Sequence, residues 1–285
     1  EARHRESLLA VLDTVQFFFL QNLRATDKEE SLDARAYAYG RWHEEFCAFA
    51  GIGYAPKDGQ AFMDFCRSKA LSEELLYELG MFKRGEDGNT YAMFRQRIMI
   101  PVRNRWGRII AYTARYIGDN RKAPKYINSA TSMIYSKGET VFGIDRAARL
   151  RDADYYIIVE GAPDVLRMQS IGYDNTVASL GTALTPGHAA LIKRYVNEVY
   201  LTYDSDEAGT KAALRAGPIL REVGITAKII RMEPYKDPDE FIKNLGAEAF
   251  EERIQKARNG FMFSLEILER DYDMTSPEGR TDFMK

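Results

Sequence analysis

Tyr155-Tyr-Ile-Ile-Val-Glu-Gly-Ala-Pro-Asp164 decides the fold: five apolar or aromatic residues run without a polar break and end on an acid and a glycine. A strand with no polar alternation is buried on both faces, as in parallel sheets covered by helices. Outward from this stretch the same rhythm repeats. Helical patterns over 163–171, 186–194 and 207–223 alternate with strands over 175–179, 198–203 and 226–232. Two short helices are expected across 239–258. The rhythm predicts an α/β fold with a mainly parallel-sheet module over 151–245.

Upstream the texture differs. Leu8, Leu12, Val15 and Phe19 recur at helical spacing, and further helical patterns follow over 34–50, 60–69 and 72–79, the last opening on Ser72 as a cap. Arg97-Ile-Met-Ile-Pro-Val102 and Arg108-Ile-Ile-Ala-Tyr112 predict two strands joined by a tight turn at Asn104-Arg-Trp-Gly107. Residues 1–150 therefore read as a mixed α+β subdomain preceding the parallel module, and 246–285 as a short helical segment.

A formal net charge of -2 over 285 residues gives no global sign of nucleic-acid binding. It hides an uneven distribution. Residues 83–138 hold twelve basic and three acidic side chains, set among short strands and Gly/Pro turns. Such a segment is either an ordinary solvated face or a nucleic-acid-binding groove. Two cysteines and three histidines, with no Cys-x-x-Cys pair, predict no zinc site in this chain and a reduced, cytoplasmic setting. The apolar run over 8–20 is broken by Asp13, Thr14 and Gln16 and is too short to span a bilayer. The chain opens on Glu1 rather than Met, as an excised piece of a longer protein would.

The chemistry is expected at the carboxyl ends of the strands, where the loops of a parallel sheet open onto a crevice. Three of those ends carry acids: Glu160-Gly161, Asp204-Ser205-Asp206 and Asp237-Pro-Asp239. Each has an ordinary reading when taken alone. Glu160 is an acid in a βα turn, and Asp204, Ser205, Asp206, Asp237 or Asp239 can cap the helix that follows. Taken together, five carboxylates facing one volume repel one another unless a counter-charge is present. Hard oxygen donors of this kind suit Mg²⁺ or Mn²⁺.

Glu160-Gly-x-x-Asp164, Tyr203-Asp-Ser-Asp-Glu-Ala-Gly209 and Asp237-Pro-Asp239, in that order, resemble the Toprim module of bacterial primases and topoisomerases. Arg95-Gln-Arg-Ile-Met-Ile-Pro101, Gly107-Arg-Ile-Ile-Ala111, Pro124-Lys-Tyr-Ile-Asn-Ser129, Lys137-Gly138 and Ser179-Leu-Gly-Thr-Ala-Leu-Thr185 narrow the resemblance to the DnaG-type primases, over about 34–280. Ala162-Pro163, Ser205 and Thr113-Ala114 depart from that family's usual residues.

The resemblance implies a DNA-directed RNA polymerase of primase type, a nucleotidyltransferase with a Toprim catalytic subdomain. By position it gives Glu160, Asp204 and Asp206 catalytic work, metal to these three with Asp237 and Asp239, and support to Asp164. It gives nucleotide or nucleic-acid contacts to Arg95, Arg97, Arg115, Lys125, Asn128 and Lys137. It implies a monomer that meets single-stranded DNA template, ribonucleoside triphosphates and an RNA primer–DNA hybrid at the nucleoid. It also implies a replicative helicase reached through regions outside this chain, and no membrane. Competing readings are another Toprim enzyme, a nuclease or topoisomerase-like one, and an inactive single-strand-binding replisome module.

Overall fold

The structure, a computed structural model, describes residues 1–204, 207–260, 276 and 278. Helices α1 (Ala2–Arg24), α2 (Glu29–Trp42), α3 (Glu44–Ala50), α4 (Gly59–Ser68) and α5 (Glu73–Glu78) build most of the first 80 residues, with a short strand β1 (Gly53–Ala55) between α3 and α4. The helical pattern over 34–50 is two helices, because His43 takes a left-handed φ of 63° and breaks the run. Ser72 caps α5 as expected, its hydroxyl accepting from the Leu75 N–H. β2 (Phe82–Arg84) and β3 (Thr90–Ala92) form a small hairpin.

The two predicted strands are β4 (Arg97–Arg103) and β5 (Ile109–Tyr116), an antiparallel pair. β1 joins β4 on one side, and β6 (Tyr126–Asn128) joins β5 on the other. α1 lies against this sheet; Phe19 stacks with Phe62, and Gln16 accepts a hydrogen bond from the Tyr112 hydroxyl at 2.8 Å. After a one-turn helix α6 (Ile144–Ala147) the chain enters the second sheet.

There β7 (Tyr155–Val159), α7 (Ala162–Ser170), β8 (Thr176–Ala178), α8 (Pro186–Ile192), β9 (Glu198–Leu201), α9 (Glu207–Glu222), β10 (Thr226–Ile229) and α10 (Pro238–Gln255) follow the predicted alternation. Strands β10, β9, β7 and β8 lie side by side and parallel. Gly246 kinks α10, so its two limbs are the two short helices expected over 239–258. The segment from 246 onward is not wholly helical among the described residues: β11 (Arg258–Asn259) pairs antiparallel with β10. Two residues are too few to carry a strand pattern of their own.

Side chains of β7 alternate between two cores. Ile157 and Val159 share a core with Ala178, Met232, Phe241 and most of the buried residues of the N-terminal subdomain, while Tyr156 and Ile158 share the other with Val199, Leu201, Val141, Ile144 and the faces of α8 and α9. The N-terminal subdomain thus covers one face of the parallel sheet and shares its core. Among the described residues no helix is long and apolar enough to cross a membrane.

Candidate active site

From β7 the chain passes to β8 on one side, then returns to β9 on the other side of β7. The loops leaving β7 and β9 therefore diverge, and a crevice opens at their carboxyl ends. Glu160 follows β7 directly, and its Oε1 accepts the backbone N–H of Asp204 at 2.9 Å, tying the two strand ends together. Gly209, in the first turn of α9, has no room for a side chain: a Cβ there would lie well inside 3.0 Å of the Asp204 carbonyl. The Lys236 ammonium lies 3.1 Å from Asp204 Oδ2, which draws in the loop after β10. Asp206, expected beside Asp204, lies outside the described residues.

Asp164 stands in the first turn of α7. Its carboxyl is pushed up to about 7, first by burial, then by the charges of Asp237 and Asp204, with Glu160 adding to them and Arg41 opposing. Four acids from three strand ends are thus close enough to act on one another, and hard oxygen donors that repel in this way fit a divalent cation. Among the described residues, no three side chains of ligand type converge tightly enough to enclose an ion. Asp237 caps α10, accepting the Glu240 N–H at 2.9 Å. Asp239 is engaged by two cations, Arg167 Nε at 2.6 Å and Lys243 Nζ at 2.7 Å.

The basic side chains singled out in the sequence belong to the N-terminal subdomain. Arg115 Nε donates to the Tyr37 hydroxyl at 3.0 Å, and its guanidinium lies over the rings of Tyr37 and Tyr126. Arg97 is buried and donates to the carbonyls of Ala114 and Pro124 at 3.2 and 3.0 Å, so it braces the segment that carries Lys125. Lys125 itself is exposed just before β6. Asn128, at the end of β6, reaches the loop after β8. Its Nδ2 occupies the place a Cβ at Gly181 would take, and Gly181 has a left-handed φ of 62°. Arg95 lines a polar cleft of about 560 Å³ with Lys57, Arg67 and Tyr91, and none of the strand-end acids lines it.

Four side chains outside the predicted set support the site or the join between the two halves. Trp42 Nε1 donates to the Pro163 carbonyl at 3.3 Å, so the departure at Pro163 falls on the first turn of α7, where proline is tolerated. Arg41 acts on Asp164, and its Nε is buried without a hydrogen-bond partner among the described residues. Tyr37 orients Arg115. His188 accepts the Thr185 N–H at Nδ1 (3.1 Å) and lies 2.7 Å from the Lys137 carbonyl at Nε2, so it is neutral with its proton on Nε2. Burial accordingly lowers its pKa. Of these, only His188 left a sequence signal, the Thr185-Pro-Gly-His188 spacing of a reciprocal cap.

Two sequence families match the chain. One, described as the N-terminal domain of the DNA primase catalytic core, matches residues 18–148; the other, described as Toprim-like, matches residues 157–242. A DNA primase from Clostridium acetobutylicum is 37% identical over 241 residues, covering 84% of this chain and 39% of the relative. The chain thus spans well under two thirds of that relative's length. The solved DnaG primase catalytic domain bound to single-stranded DNA superposes with a TM-score of 0.88 at 30% identity, covering 99% of this chain and 91% of that one. The Escherichia coli primase catalytic core gives a TM-score of 0.85 at 30% identity, covering 96% and 88%.

Proposed function

The chain belongs to the family of bacterial DnaG primase catalytic cores, and from that premise we propose that it joins ribonucleoside triphosphates into short RNA primers on single-stranded DNA. The observation that carries this reading is the crevice between β7 and β9, where Glu160 is hydrogen-bonded to Asp204 and both act on Asp164. The template is single-stranded DNA, the product an RNA–DNA hybrid, and the work is done in the cytoplasm at the nucleoid. One solved relative is described as bound to single-stranded DNA.

Glu160, Asp204 and Asp206, with Asp237 beside them, would hold Mg²⁺ or Mn²⁺, which when bound neutralises phosphate charge and favours in-line attack by a 3′-hydroxyl on an α-phosphate. Asp164, half-buried and readily protonated, supports the first turn of α7. Asp239 holds the start of α10 against α7 through Arg167, which keeps Asp237 beside Asp164. Lys236 limits repulsion at Asp204 while the crevice is without substrate. Arg115, Lys125, Asn128 and Lys137 receive phosphates and strands, and Arg97 braces Lys125 from behind.

The test is incorporation of labelled ribonucleotides by this chain on a single-stranded template. Products of a few to some tens of nucleotides that require template and divalent metal support the reading. Template-independent labelling, or degradation of the template with no RNA made, would replace it with the nuclease reading.

A further inference from the structure

The turn between β4 and β5 carries a ring that the fold does not use. Asn104 Oδ1 accepts the N–H groups of Trp106 and Arg108 at 3.0 and 3.1 Å, and the Gly107 N–H returns to the Asn104 carbonyl at 2.8 Å. Gly107 supplies the left-handed φ of 86° that closes the turn. These bonds fix the backbone without the indole, yet Trp106 is 70% exposed, whereas the chain's other tryptophan, Trp42, is fully buried. The Arg105 guanidinium lies 4.3 Å from the Trp106 ring centre and covers one face. The opposite face is free to stack.

Further cations gather at the same turn. Arg103 donates to the Gly107 carbonyl at 2.9 Å, and the Arg149 guanidinium lies 2.9 Å from where a Cβ on Gly107 would stand. Arg108 is paired with Glu6 and Asp13, at 3.5 and 3.3 Å. Among the described residues, Arg103, Arg105 and Arg149 form no ion pair within 4 Å, and Arg103 and Arg149 lie near enough to the half-buried Asp145 to oppose the rise that burial gives its pKa. One guanidinium on the exposed ring and two more at the Gly107 backbone of the same turn match a strand that offers both bases and phosphates, because every base has a π-face and every linkage a negative charge.

We infer that the Asn104–Gly107 turn is a stacking contact for single-stranded nucleic acid, with a base on Trp106 and adjoining phosphates on Arg103, Arg105 and Arg149. The contact extends the proposed template path, and in that respect rests on the proposed function. β4 runs the seven residues from Arg97 to Arg103, about 20 Å, so this contact is additional to the one around Lys125 and Asn128. A strand long enough to reach both should bind more tightly than one that reaches either.

Tryptophan fluorescence reads the contact once the signal of Trp106→Phe, which leaves only the buried Trp42 beside α7, has been subtracted. The chain is titrated with a twenty-residue and a four-residue oligothymidylate at low salt, and primer synthesis is measured on the same preparation. Saturable quenching by the longer strand is expected. Trp106→Ala should weaken its binding roughly 5- to 150-fold by anisotropy, Trp106→Phe should restore most of it, and Arg105→Glu should weaken it further. Unchanged fluorescence at saturating DNA, or unchanged affinity in Trp106→Ala, overturns the inference. If primers are made while Trp106 stays silent, the inference fails and the proposed function stands; quenching without primer synthesis has the opposite meaning. Shielding of Trp106 that grows with protein concentration and without DNA would assign the patch to a second copy of the chain and overturn the proposal.

Discussion

Replacing Arg167 by methionine removes the cation that holds Asp239, and with it the start of α10, against α7. The two side chains are 14% and 13% exposed and meet at 2.6 Å, so the pair is largely out of water. Removing one partner of a fully buried pair costs about 3–5 kcal/mol, because the other charge is left uncompensated. Here Lys243, itself half exposed, still touches Asp239 at 2.7 Å and offsets part of that loss. About 2 kcal/mol should remain, which lowers the unfolding midpoint of a chain this size by about 4–8 °C. Asp239→Asn should cost a similar amount, by leaving the Arg167 guanidinium buried without its carboxylate. The double variant should then be more stable than the sum of the two losses implies, by at least about 1 kcal/mol. Urea and thermal unfolding of all four proteins, followed by circular dichroism, measure this. Losses that simply add, or an Arg167→Met variant as stable as the parent, would refute the claim that this pair anchors the site.

Further outcomes follow from the same geometry. Gly209→Ala gains helix propensity of about 1 kcal/mol, but its Cβ would push the Asp204 backbone aside by roughly 1 Å at a cost of about 1–3 kcal/mol, so stability should fall by up to about 2 kcal/mol and primer synthesis by about 100-fold; normal synthesis would show that Asp204 need not stand where it does. His188 has its pKa lowered by burial, so its unfolded form takes up protons first as pH falls. Stability is full above about pH 7 and declines below about 6.5, by at most about 1.4 kcal/mol per pH unit; the His188→Gln variant should lack that slope, and an unchanged slope in the variant would refute the assignment. Binding of single-stranded DNA should weaken by about 0.7 log units per phosphate contacted for each tenfold rise in salt, and a flat profile would remove the case for a groove over 83–138.

How much of this was legible in the sequence depended on distance along the chain. β7, α7 and their successors are each self-contained patterns, and an acid after an apolar strand marks a crevice wherever the strand lies in a parallel sheet. The topology then made Glu160 and Asp204 neighbours because β9 returns beside β7. β1, β6 and β11 are three residues or fewer and exist because longer strands pair with them, which no local pattern reveals. His43 breaks a helical run with no glycine or proline at that position to announce it. Arg41 and Trp42 approach the site from more than a hundred residues away, and nothing in their own surroundings distinguishes them. Arg97 matched a basic motif position, yet only the packing of Ala114 and Pro124 around it shows a brace rather than an open contact.

The claim on which the rest depends is that the crevice between β7 and β9 gathers its acids for a divalent cation. Electron paramagnetic resonance of free Mn²⁺, titrated with the chain and with its Asp204→Asn and Glu160→Gln variants, measures that without reference to activity. The parent chain should deplete the free-ion signal, and each variant should bind at least about tenfold more weakly while unfolding at the same temperature. Equal Mn²⁺ binding by all three proteins would contradict it.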